Sequence, residues 1–279
     1  MACTSAMQRL LHSAKEASVG QRAVPFSVYA SRKEQRVVNV PIIKPLLVCV
    51  LEGCKKLGDD IEVCCDTGEF IFLSNSPQVA IRNIPAAASY GALVIEFEFD
   101  DFACFSVALP SERSARFLQG NIDAVLQQAL QQFVDWSAFA PVELWASRRR
   151  EILQLLAYQG YTGVYSIMES PSLSHKLHQL MSADVAVEMS AESVASNLAM
   201  SESTLRRKLK SEGVSFQTIK DRARLGQGLH WLQTTDQPIG LIAEKCGYQS
   251  PSRFTDKFKR LFGITPSELR KTQMPELGE

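Results

Sequence analysis

Ile239-Gly240-Leu241-Ile242-Ala243-Glu244-Lys245-Cys246-Gly247-Tyr248-Gln249-Ser250-Pro251-Ser252-Arg253-Phe254-Thr255-Asp256-Lys257-Phe258-Lys259-Arg260-Leu261-Phe262-Gly263-Ile264-Thr265-Pro266 decides how this chain of 279 residues is read. A short helix carries a small Ala243 where a second helix can cross closely. A turn follows at Gly247-Tyr248, and Ser250 is placed to cap the next helix. Phe254 and Phe258, four residues apart, pin that helix inward, and Gly263 ends it. This is the local grammar of a helix-turn-helix.

The same grammar occurs once before. Val194-Ala195-Ser196-Asn197-Leu198-Ala199-Met200 leads to Ser201–Lys210 and then to Gly213-Val214-Ser215-Phe216. Ala195 matches Ala243, Leu205 and Leu209 match Phe254 and Phe258, and Gly213 matches Gly263. The second copy has one extra residue in its turn. A long helical stretch, Phe216 to Leu232, joins the two. On the first copy Ser203, Arg206, Arg207 and Lys210 fall on one helix face, with Thr204 beside them. On the second, Arg253, Lys257 and Arg260 do the same, flanked by Ser252 and Lys259. A helix fits the major groove, Arg reaches guanine O6 and N7, and Lys serves phosphate as a point charge. Ser203, Thr204, Arg206, Arg207, Lys210, Ser252, Arg253, Lys257 and Lys259 are therefore the expected DNA-binding residues.

The pattern Ile239-x-x-Ile242-Ala243-x-x-x-Gly247-Tyr248-x-Ser250-x-Ser252-x-Phe254-x-x-x-Phe258-Lys259-x-x-Phe262-Gly263-x-Thr265-Pro266, with Leu205-x-Arg207-x-Leu209-Lys210 and Arg224-Leu225 upstream, resembles the AraC/XylS family of bacterial transcription regulators. The resemblance covers residues 173–271. It implies two helix-turn-helix units entering successive major-groove segments, with Ser203, Arg206, Arg207, Ser252 and Arg253 reading bases. Asp256 stands where the family often has a base. An acid there repels phosphate, although it can accept from cytosine N4. Gly228 stands where the linking helix usually has Ala, at about 1 kcal/mol of helix propensity.

Lys+Arg and Asp+Glu number 30 each, which excludes a uniformly basic coat. The charge is unevenly placed, however. Residues 196–271 carry a net +7 and residues 1–195 a net −5, as when an acidic domain is joined to a nucleic-acid-binding one. No apolar run reaches the roughly 18–20 residues that span a bilayer, and Met1–Gly20 lacks the apolar core of a signal peptide. A cytoplasmic protein without membrane contact is expected. The seven cysteines are odd in number, irregularly spaced and without a CxxC pair, so a disulfide framework is not expected.

From Val24 to Val107 the sequence reads as strands: Val37–Ile43, Leu46–Leu51, Ile61–Cys65, Phe70–Leu73 and Ala92–Phe99, with turns at Glu52-Gly53, Gly58-Asp59-Asp60, Asp66-Thr67-Gly68 and Asn75-Ser76-Pro77. Past Pro110 the period becomes helical. Ile122, Leu126, Leu130 and Phe133 share one face, and Leu144 to Leu156 form a second helix. The expected fold class is α+β: a β barrel or sandwich in 24–107 with helices in 112–158, together making domain 1–160, a linker at 161–172, and an all-α domain of two helix-turn-helix units at 173–271. The family resemblance implies that the first domain is cupin-like, senses a small molecule or partner, and dimerises. Ile122, Leu126, Ala129, Phe133 and Trp136 have heptad spacing, which suits pairing with a second copy or docking on the β region.

No enzyme is expected. None of His12, His175, His178 and His230 lies in the β region, and no GxSxG, Walker A or GxGxxG is present, so neither metal, cofactor nor catalytic residue is assigned. His175 and His178, three apart on a helix, lack a third ligand nearby. Phe70, Phe72, Leu73, Ile95, Phe97 and Phe99 can line a barrel around an apolar molecule or simply fill a core. Some members of the family bind a fatty acid between basic residues. By resemblance Arg32, Lys33 and Lys44 are the ligand-binding candidates here, with Gln233, and not Lys, at the end of the linking helix. Cys64 and Cys65, adjacent in a strand, place one thiol inward and leave a redox sensor as a minor alternative. The expected function is a sequence-specific transcription activator whose partners are double-stranded DNA, RNA polymerase, a small-molecule effector (a fatty acid is one option) and a second copy of itself. The alternative is a ligand- or partner-binding module whose helix-turn-helix has lost DNA affinity, for which Asp256 speaks.

Overall fold

The computed structural model describes residues 2–19, 23–58, 63–75, 78–87, 89–103, 105, 117–165 and 172–273. The expected turns at Asp59-Asp60 and Ser76-Pro77, the end of the β region at Val107, Cys104 and the centre of the 161–172 linker lie outside these residues. The chain divides into two compact units: Met1–Val37 with Lys44–Glu169 and Thr272–Glu279, and Val38–Ile43 with Ser170–Lys271. The β-rich part thus precedes a helical part.

Among the described residues the β region contains β1 (Ser27–Ser31), β2 (Gln35–Val40), β3 (Leu46–Glu52), β4 (Cys54–Leu57), β5 (Val63–Asp66), β6 (Glu69–Leu73), β7 (Val79–Ile84), β8 (Tyr90–Glu96) and β9 (Phe117–Asn121). They form a five-stranded sheet, β1-β8-β3-β6-β9, and a four-stranded sheet, β2-β7-β4-β5. β3 lies antiparallel between β6 and β8, pairing Val48 with Ile71 and with Val94. Leu47 to Leu51 are buried without a break, because this strand is covered on both faces.

One face meets helices. α1 (Ala2–Ser18), α2 (Ala124–Ser137) and α3 (Trp145–Tyr158) supply Met7, Leu10, Leu11, Leu126, Leu130, Phe133, Ile152 and Leu156 to the core, against Leu47, Phe70, Phe72, Leu93, Ile95 and Phe97. Strand alternation therefore turns Phe70, Phe72, Ile95 and Phe97 onto the helices, where Phe72 and Phe97 pack at 5.3 Å between centroids. They fill the core, the second of the two roles their sequence positions allow, and do not line a barrel interior. Asp123 caps α2 by accepting from the Leu126 amide at 2.8 Å. Ile122, Leu126 and Phe133 of the heptad stripe are part of this same core, Leu126 0% and Phe133 1% exposed, while Ala129 and Trp136 are half-buried. Val164, in the short turn after α3, is buried there too, so the first residues of the expected linker belong to the core.

The opposite strand faces carry polar groups inward. Lys55 is only 7% exposed. It donates to Asn83 Oδ1 at 2.7 Å, and Asn83 in turn donates to Gln35. The Lys55 ammonium lies 5.6 Å from the Tyr90 ring centroid. Burial lowers its pKa to about 8.

The helical unit comprises α4 (Leu173–Ala183), α5 (Ala191–Asn197), α6 (Glu202–Ser211), α7 (Phe216–Thr234), α8 (Ile239–Lys245), α9 (Pro251–Phe262) and α10 (Pro266–Arg270). Ser172, Ser190, Ser201, Ser215 and Thr265 each accept from the amide three residues on, which satisfies donors the helix itself leaves open. Ser250 occupies the N-cap of α9 but its hydroxyl makes no capping bond; Pro251 at the first helical position supplies the preset φ instead.

Candidate nucleic-acid interface

Each helix pair is set by the same few contacts. Ala195 and Ala243, buried at the crossings, let α5 approach α6 and α8 approach α9. Both turns need a left-handed residue: Ala199 has φ 52° and Gly247 φ 75°. Gly213 and Gly263 end α6 and α9 in the same conformation. The first pair packs Leu205 and Leu209 with Leu177, Met181, Val194, Phe216 and Ile219. The second stacks Tyr248, Phe254, Phe258 and Phe262 in series, with centroids 5.4, 5.5 and 4.7 Å apart.

α7 serves both pairs, and Gly228 is the reason it can. A Cβ there would stand 2.9 Å from the Phe254 ring and 3.2 Å from Cys246 Sγ. Gly228→Ala is therefore expected to destabilise the unit by about 1–3 kcal/mol through overpacking, despite the helix propensity it restores. A urea unfolding midpoint that rises would contradict this. Polar ties add to the framework. Glu188 accepts from Lys220 and, at 2.9 Å, from Arg224, while Arg224 also donates to the Val185 carbonyl. Glu212 accepts from the Leu173 and Ser174 amides at 3.1 and 2.9 Å, capping α4 from the end of α6.

With the framework in place, the two basic helices expose different sets. On α6, Ser203, Arg206, Arg207 and Lys210 are exposed and Thr204 half-buried. Arg206 is drawn to Glu202 on its own helix at 2.6 Å. The hydroxyls of Ser203 and Thr204 lie 2.9 Å from Ser201 Oγ, in the capping cluster. Arg207 and Lys210 make no side-chain hydrogen bond or ion pair with any described residue. On α9, Ser252, Arg253, Asp256, Lys259 and Arg260 are exposed. Lys257 is not presented with them: it donates to both Asp221 carboxylate oxygens at 2.8 and 2.7 Å, tying α9 to α7. Helical periodicity placed Lys257 beside Arg253 and Arg260; the nonlocal Asp221 is what turns it away.

The other candidates are scattered. Arg32 and Lys33 are exposed beyond β1, and Lys44 is neutralised by Glu98 at 2.7 Å. Lys55, which sequence reading missed, is the buried cation of the β unit among the described residues. The clue was Leu57, whose apolar side chain shares the inward face of β4 with residue 55. His175 and His178 bond separately, to Ser172 and Ser182, and the buried Nε2 of each has no hydrogen-bond partner among the described residues. Burial, with the charges of His175 and Arg222, lowers the His178 pKa to about 4. A folded-state value below the unfolded one, about 6.5, means that stability is complete above pH 6.5 and is lost as pH falls towards 4, by up to roughly 3 kcal/mol. Chemical denaturation at pH 7 and pH 5 should show this loss, and His178→Gln should flatten it.

The fold and these exposed helices define a double helix-turn-helix domain. A family model described as a helix-turn-helix domain matches residues 194–272, and the domain is of the AraC type, as its motif implied. The chain is 39% identical over 97 residues to the transcriptional regulator SirC of Salmonella typhimurium, covering 35% of this chain and 33% of that protein. It is 39% identical over 79 residues to the urease operon transcriptional activator of Escherichia coli, covering 28% and 27%. The match thus spans about a third of the length of these curated relatives. An apo structure of ToxT from Vibrio cholerae shares the fold over 91% of this chain and 100% of that one, with a TM-score of 0.68 at 17% identity. A second ToxT structure, with bound unsaturated fatty acid, gives a TM-score of 0.61. No helix among the described residues is long and apolar enough to cross a membrane.

Proposed function

We propose that the chain is a non-enzymatic, sequence-specific DNA-binding transcription regulator. The observation that carries this reading is the pair of helix-turn-helix units on one bridging helix, each with exposed bases that are unpaired among the described residues: Arg207 and Lys210 on α6, Arg253 and Arg260 on α9. Ser203, Ser252 and Lys259 complete the DNA-facing set, with Thr204 and Lys257 positioning the helices and Arg206 exchanging Glu202 for phosphate. Activation, and hence contact with RNA polymerase, is supported by the urease operon activator among the relatives. The β unit acts as the sensor. ToxT's bound fatty acid supports a small acidic effector, and the buried Lys55, which has no carboxylate partner among the described residues, is the group such an acid would neutralise.

A gel shift against the DNA upstream of the chain's own reading frame tests the reading. Arg207→Ala is expected to lower specific affinity by about 1–3 kcal/mol and to relax discrimination at one base pair. Lys210→Ala should weaken all sequences alike and reduce the salt slope by about one unit. Equal, sequence-independent losses from both would remove Arg207 from base reading.

A further inference from the structure

We propose that Cys54, Cys64 and Asp66 form a Zn²⁺ site on the outer edge of the four-stranded sheet. The three side chains come from neighbouring strands. β4 and β5 run antiparallel with Cys54 opposite Asp66 and Lys56 opposite Cys64, and β5 is the last strand of its sheet. Residues 54, 64 and 66 share the outward face, whereas Cys65 points in and is fully buried. Cys54 Sγ and Cys64 Sγ lie 2.9 Å apart, and Cys64 Sγ lies 3.7 Å from Asp66 Oδ1. The three donor atoms all fall within 4.8 Å of one another.

Two thiols at this distance invite two chemistries, and the register separates them. The cysteines are diagonal neighbours and not direct partners, and diagonal positions of an antiparallel pair stand roughly 7–8 Å apart. A disulfide asks for Cα atoms at about 4.4–6.8 Å. A tetrahedral ion with Zn–S bonds of about 2.3 Å holds its donors roughly 3.5–3.8 Å apart, which the exposed Cys64 side chain reaches by a small rotation. The third donor decides the metal. Asp66 is a hard oxygen ligand that suits Zn²⁺ and not Cu⁺, which prefers sulfur alone. Three protein donors leave the fourth position to water.

Lys56, opposite Cys64, adds a positive charge to this strand pair and keeps the site weaker than a four-cysteine one.

The test is titration of the full-length, reduced protein with Co²⁺ and then Zn²⁺ in the absence of oxygen. One Co²⁺ per chain is expected, with a thiolate-to-cobalt charge-transfer band and tetrahedral d–d bands that Zn²⁺ abolishes. Cys64→Ser should lose the charge-transfer intensity of one thiolate, and Asp66→Asn should weaken Zn²⁺ binding at least tenfold. Both positions are exposed, and circular dichroism confirms that the variants fold. Absence of the charge-transfer band in the wild type overturns the proposal. So does undiminished Co²⁺ uptake by Cys64→Ser. Conversion of Cys54 and Cys64 to a disulfide by oxidised glutathione, undisturbed by prior Zn²⁺, would also overturn it.

Discussion

Ala243→Glu is expected to abolish specific DNA binding while leaving the β unit folded. Ala243 has no exposed surface and lies on α8, which packs against α9. A carboxylate has no donor to meet there, and an uncompensated buried charge costs more than about 3 kcal/mol. That is enough to separate the two helices, since whole domains are stable by only about 5–15 kcal/mol. The equivalent Ala195→Glu should disable the first unit in the same way. Gel shift reports the loss of binding, and the unfolding transition monitored by fluorescence reports its cause. A folded Ala243→Glu protein with undiminished affinity would mean that the second helix pair takes no part in recognition.

Replacing Leu126 and Phe133 together with Lys should leave the protein insoluble or unfolded. Heptad spacing on α2 suggested a seam for a second copy, and on that reading the double variant would be a folded monomer. Both side chains are instead buried among Met7, Leu10, Phe26, Leu130 and Ile152. Truncating such residues to Ala already removes about 2–5 and 3–5 kcal/mol, and two buried ammonium groups add to this. Circular dichroism and sedimentation of the double variant distinguish the outcomes, and a soluble, folded monomer would restore the seam. Self-association of the chain then has to employ a different surface. Phe139, Val142 and Leu144, exposed between α2 and α3, are the apolar side chains nearest to hand.

The helix-turn-helix repeat was legible in the sequence because every signal it uses is local. The cap at Ser201, apolar pairs at i and i+4, a small residue at the crossing and a Gly stop all lie within about one helix length of each other, whereas the cap expected of Ser250 is replaced by Pro251. The β core was legible only as strands. β1, β4, β7 and β9 were not singled out, and α1 was passed over although Met7, Leu10, Leu11 and Ala14 repeat at helical spacing. Which strand face meets the helices depends on the order β1-β8-β3-β6-β9, and pairing across such separations leaves no local trace. The same holds for the polar details. Lys257 turns to Asp221, 36 residues away; Gly228 is required by a ring on α9 and not by its own helix; and Cys54 meets Cys64 and Asp66 across two strands. Local chemistry determined what the elements are. Packing between distant segments decided which side chains the core consumes and which remain free to bind.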